Sequence, residues 1–176
     1  MILRKINAVV SLATTVLLLD HAISHSLWML SDGSIVKYPI CTPWILFALM
    51  MFHAIISIAL AILGHKGAEK KKCKSYANLN VPAFIQRATG VSLIVLTTLH
   101  VAGAVGVLQP PKLVHGILLP VFFAICMLHT AISTNKAFIT LGIGNAAFIK
   151  ISDVIIKLIC GATLIASVIG FYNYLG

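Results

Sequence analysis

Five long apolar runs dominate this chain, and a water-soluble fold has no way to hide them. They cover roughly residues 6–30, 43–64, 83–108, 113–134 and 152–174. Each is about as long as the ~20 apolar residues that a transmembrane helix needs. Of 176 residues, 60% are apolar and 10% charged, against about 25% charged in an ordinary soluble domain. A water-soluble enzyme is excluded on that ground. Five spans also leave no length for a folded extramembrane domain. The expectation is an all-α membrane protein, one transmembrane domain over residues 1–176.

The breaks between runs have ordinary causes. Asp32-Gly33-Ser34 and Pro39 end the first, Gln109-Pro110-Pro111 separates the third from the fourth, and Gly142 to Asn145 precede the fifth. The fourth run can continue toward Leu141 as a helix leaving the membrane. Arg4 and Lys5 before the first run suggest a signal peptide, but the run is too long and no A-x-A site follows it. It is expected to remain as a span.

The net charge of +9 is not read as a nucleic-acid signal. With the N-terminus inside, 11 basic residues fall on the inner side and only Lys37 and Lys112 on the outer. That asymmetry predicts a cytoplasmic N-terminus and an outside C-terminus in the cytoplasmic (inner) membrane of a cell. Trp28, Trp44 and Tyr172 then fall near the outer interface. The basic 65–82 segment, with Lys70-Lys71-Lys72 and Lys74, reads as a topology signal against anionic lipid or as a docking surface for a cytoplasmic partner. Cys41, Cys73, Cys126 and Cys160 are scattered with no CxxC or CxxCH. They read as packing residues and free thiols, with neither a zinc ribbon nor covalent haem implied.

Ionisable residues at membrane depth are costly and usually functional. Four histidines lie well inside spans, one in each of the first four: His21, His53, His100 and His129. At ~1.5 Å per residue in a ~30 Å core, His21 and His100 lie ~22 and ~24 Å from the inner face, His53 ~16 Å and His129 ~6 Å. They sort into an outer pair, His21 with His100, and an inner pair, His53 with His129. Two imidazoles at matching depth on different helices can clamp a haem iron from both faces. Zinc is a poorer explanation, because two histidines supply half of a tetrahedral site. Ala22, Gly90, Ala102, Gly103, Ala104, Gly106, Ala131 and Gly161 are candidates to leave room for flat rings. His25, one turn beyond His21, is a rival ligand or a contact for a propionate or quinone. His115 opens span four at the outer side, and His65 closes span two at the inner. Asp20 adjoins His21 but points about 100° away from it on the helix.

Span three reads Phe84-Ile85-Gln86-Arg87-Ala88-Thr89-Gly90, with His100 ten residues after the glycine. This resembles the I-Q-x-x-T-G…His segment of the cytochrome b membrane-anchor subunit of succinate:quinone oxidoreductases, the succinate dehydrogenases and fumarate reductases. The likeness is to their five-helix, two-haem branch, which includes menaquinol:fumarate reductases. Leu19-Asp20-His21, Phe52-His53-Ala54 and Leu128-His129 match the family's other ligand positions. About 25 residues match by motif, and the whole chain by architecture.

The resemblance implies two b haems. His21 and His100 would hold the distal one, and His53 and His129 the proximal one. Arg87 would contact a proximal propionate or the iron–sulfur partner. His25, His115 and Asp32 would serve a quinone or a propionate, Asp32 being the nearest acid to the one the family uses at its menaquinol site. The partners implied are an iron–sulfur subunit, a flavoprotein subunit that carries the succinate/fumarate chemistry, membrane quinone (menaquinone) and the lipid bilayer, with room for a dimer of complexes. The chain itself would have no succinate site. Rival readings are the two-haem cytochrome b of a hydrogenase or formate dehydrogenase, a haem-free proton or cation relay using Asp20 and the histidines, and a bare structural anchor.

Overall fold

A computed structural model describes residues 2–31, 41–69, 81–108 and 112–175. They form five α-helices: α1 Ile2–Leu30, α2 Thr42–Glu69, α3 Val81–Ala104, α4 Lys112–Leu141 and α5 Ala146–Leu175. All five are long and apolar enough to cross a membrane, the pattern of a multi-pass membrane protein. Asp32, Lys37, the Lys70–Lys74 run and the Gln109-Pro110-Pro111 turn lie outside the described residues. His65 and His115 stand in helices, but their side chains lie outside the described set.

Polar contacts between helices fix the directions. Asn7 near the start of α1 bonds Ser57 just past the middle of α2, whose start at Pro43 and Trp44 lines one cavity with His25 and Trp28 late in α1, and Lys136 late in α4 bonds Gln86 early in α3. Asn135 in α4 bonds Asp153 early in α5. Each of these pairs is therefore antiparallel. Ser26 and Ser167, 2.8 Å apart, sit late in α1 and late in α5, so those two run parallel. Ser26 donates to Ala22 O at 2.6 Å, which leaves Ser167 to donate to Ser26. The hydroxyl pair satisfies itself where α1 meets α5. Gly170 is the reason the two helices can close there. A Cβ on it would stand 3.2 Å from Ser26 O and 3.3 Å from Met29 Cβ.

Helix ends differ from the apolar runs for local reasons. The third run suggests a span to residue 108, but α3 stops at Ala104. Gly106 adopts φ 76°, Val107 N–H reaches Ala102 O at 2.9 Å and Gly106 N–H reaches Gly103 O at 3.1 Å. These paired bonds are a Schellman cap, with glycine in the left-handed position. Gly142 ends α4 the same way, with φ 74°, Ile143 N–H on Phe138 O and Gly142 N–H on Ile139 O. Because that cap lies beyond the apolar run, α4 continues unbroken to Leu141 and passes through Pro120. The fifth run suggests a start at residue 152, yet α5 starts at Ala146. Asn145 caps it, its Oδ1 accepting from Phe148 N–H at 2.9 Å.

The packing is uneven in a way that bears on function. The protein–protein core lies mainly among α1, α4 and α5, with Ala22, Met29, Cys126, Met127, Cys160 and Phe171 buried, and α3 adds Leu93 to it. Helix α3 packs on α4 and barely on α2, and its backbone never closes on α1. A slot therefore separates α3 from the α1–α2 pair.

Candidate functional site

That slot holds the histidines, at two levels. At the first, His21 and His25 of α1 and His100 of α3 line one cavity of about 550 Å³. His21 and His100 are close enough for their charges to interact. Apart from Thr97 its other walls are largely apolar, with Ala22, Phe47, Met50, Phe122, Phe123 and Cys126 among them. Cofactor pockets commonly measure about 300–1,000 Å³ with apolar walls and a few placed polar groups. His21 and His25 stack with ring centroids 6.1 Å apart, and His25 meets Trp28 at 5.8 Å. Phe122 lies 5.1 Å from the His100 ring. A second cavity of about 450 Å³ adjoins on the side of Gly103, Leu118 and Phe171, sharing His25, Trp28 and His100.

At the second level, His53 of α2 and His129 of α4 lie within electrostatic reach of one another. His53 sits beside the Asn7 backbone, yet its Nδ1 is buried with no hydrogen-bond partner. His129 is held firmly. Thr89 Oγ1 lies 2.9 Å from its Nδ1. That hydroxyl donates to Ile85 O at 2.8 Å, with Gln86 O at 3.2 Å. Its single hydrogen is thereby used on the backbone, so it accepts from an Nδ1–H of His129. The tautomer that results leaves the Nε2 lone pair free to bind a metal. Gly90 stands over the same ring, where a Cβ would come 3.3 Å from His129 Cε1. Gly90 and His100 are ten residues apart on α3, so the levels are separated by ~15 Å.

The span-three motif thus has a physical content. Gln86 accepts from Lys136 Nζ at 2.5 Å, Thr89 orients His129 and Gly90 makes room for it. Arg87 is exposed and within charge range of Lys136. Among the described residues no acid pairs with either. The result is a pair of neighbouring cations beside the His129 level. Sequence reading missed Lys136, which it counted only as an inner-side charge. The signal was its spacing: seven residues past His129 puts it on the same helix face two turns on.

Some expected features fall elsewhere. Gly106 is a helix cap and Gly161 faces open space, so neither makes room for a ring; Gly90, Ala22 and Ala104 face the histidine levels, and Gly103 lines the second cavity. Asp20 is exposed on the outward face of α1, away from the cavity that His21 lines. Cys41, Cys126 and Cys160 are free thiols, and Cys126 packs in the cavity wall. Among the described residues, no three His, Cys, Asp or Glu side chains converge as one metal site. What the slot offers is His21, His25 and His100 at one level and His53 with His129 at the other.

Comparison with family models, with curated proteins and with solved structures finds no match.

Proposed function

We propose that this chain is the cytochrome b membrane anchor of a succinate dehydrogenase or fumarate reductase complex. It passes electrons between membrane quinone and a cytoplasmic iron–sulfur subunit, with its N-terminus inside. The carrying observation is the grouping of four membrane-depth histidines from four helices into two levels of one slot. His21 and His100 would hold one haem b, and His53 and His129 the other.

The residues fit that cofactor on three counts. The first-level cavity is cofactor-sized and apolar. The Thr89 contact sets His129 in the ligating tautomer. The buried, unpartnered Nδ1 of His53 leaves a polar atom that a bare packing role does not satisfy. Bound haem b would supply one-electron transfer. The chain's own residues do the remaining work. The four imidazoles would hold the two haems at two depths, Gly90 leaves room for the His129 ring, and the mostly apolar walls would keep water away. Arg87 and Lys136 offer cations for propionates at the His129 level. The partner subunits and the quinone rest on the motif resemblance.

The test is ligand removal. His100→Ala should lose one haem b and keep the other, and His129→Ala should lose the other alone. Each retained haem would keep a six-coordinate low-spin spectrum. Unchanged haem content in both variants would sink the assignment. Co-purification of iron–sulfur and flavoprotein subunits decides the complex; a hydrogenase or formate dehydrogenase partner would replace it.

A further inference from the structure

The outward face of α1 carries a residue that the histidine slot does not use. Ile6, Val9, Ala13, Val16, Ile23 and Leu27 are exposed and recur at steps of three, four and seven, so they form one straight stripe. The other faces of α1 are covered by α2, α4 and α5. Asp20 lies in the middle of this stripe. It is exposed and makes no hydrogen bond, ion pair or ring contact among the described residues. With Arg4 and Lys5 at one membrane surface, the hydrocarbon begins near Ile6. Asp20 then lies ~21 Å in and ~9 Å short of the far surface of a ~30 Å core. Long Lys and Arg side chains snorkel over such depths, but an aspartate is too short. A carboxyl left against acyl chains is costly in either protonation state.

We propose that this stripe is the contact surface for a second copy of the chain. The two α1 helices meet about a two-fold axis along the membrane normal, with the two Asp20 carboxyls facing each other across it. A carboxyl can complement itself. When protonated, two of them exchange O–H···O bonds and leave neither charge nor an unused donor. With one proton lost they share a short O–H···O⁻ bond. Symmetry delivers the second carboxyl to the same depth without further design, and in a two-fold contact a residue on the axis meets its own copy. A foreign helix would have to present a matching group at that depth. The stripe is straight, so contact runs along most of α1, and Ala13 two turns from Asp20 lets the backbones approach. The proposal needs the membrane reading but not the haems, so either can fail alone.

Cysteine cross-linking of the full chain in native membranes tests it. Cys41 and Cys73 are first replaced by serine, while Cys126 and Cys160 are buried and stay. Single cysteines at Val16 and Ile23, which flank Asp20 on the stripe and leave its carboxyl in place, should yield a disulfide-linked product of twice the chain mass on oxidation. Ile165→Cys, exposed on α5, should give at least tenfold less. With native cysteines, Asp20→Val should lower the dimer fraction at least tenfold, and Asp20→Asn, whose amide also pairs with itself, should keep it. Equal yield at Ile165, no product along the α1 stripe, a product containing a different polypeptide, or an undiminished Asp20→Val dimer would each overturn the proposal.

Discussion

Thr89 has one hydroxyl hydrogen and three neighbours that compete for it. The backbone takes the hydrogen at Ile85, so the imidazole of His129 must donate. Thr89→Val removes that acceptor and leaves the His129 ring only the Gln86 backbone to hold it. Groups that orient a ligating histidine typically contribute 10–100-fold in affinity. The expected outcome is a loss of that order in haem retention at the His129 level, with the His21–His100 level unaffected. Equal loss from both levels, or none, would reject this role for Thr89. At this scale the sequence was legible where chemistry conflicts with environment. Histidines in apolar helices stand out, as Asp20 does. Thr89 and Gly90 stood out only as part of a motif, because hydroxyls and glycines in membrane helices ordinarily serve packing. Lys136 was hidden by company, since a lysine near a helix end is ordinarily a topology charge.

Among the helices, the ends were the least legible part. Apolar runs report where lipid lies, whereas helices end where a cap satisfies their last carbonyls. Gly106 and Gly142 supply such caps with positive φ. An L-residue there costs roughly 1–2 kcal/mol, so Gly142→Ala should lower thermal stability by about that amount. Gly161→Ala, at a helical position with open space around it, should be neutral or slightly stabilising. Melting of the purified protein followed by helical circular dichroism separates the two. The α1–α5 contact gives a stronger test. Gly170→Leu drives a side chain into Ser26 O and Met29, and overpacking of this kind typically costs about 1–3 kcal/mol. A melting temperature unchanged by Gly170→Leu would mean that α1 and α5 are not held as closely as described. Which helices touch was not legible at all. Five similar apolar runs carry no pairing code, and the gap between α1 and α3 emerges only from the packed bundle.

For the molecule as a whole, the uneven packing is the functional point. Three helices make most of the core, to which α3 adds Leu93, and a slot between α3 and the α1–α2 pair holds histidines at two levels ~15 Å apart. Depth counting along the sequence put His21 with His100, and the bundle brings these two to one cavity. The same counting paired His53 with His129 despite a depth difference of about 10 Å, and the bundle brings them within electrostatic reach. Counting from assumed membrane boundaries accumulates tilt and end errors, which are largest where α4 runs past its apolar stretch. The membrane orientation rests on charge asymmetry. A reporter that is active only in the cytoplasm should be active when fused to the N-terminus and inactive at the C-terminus; the reverse pattern would invert the proposed direction of the wire. The most direct measurement of all is haem b per chain in the purified complex, with a dithionite-reduced minus oxidised spectrum. Two haems per chain with b-type bands is the expected result. One haem would break one histidine pair, and none would contradict the assignment of this chain as an electron-carrying anchor.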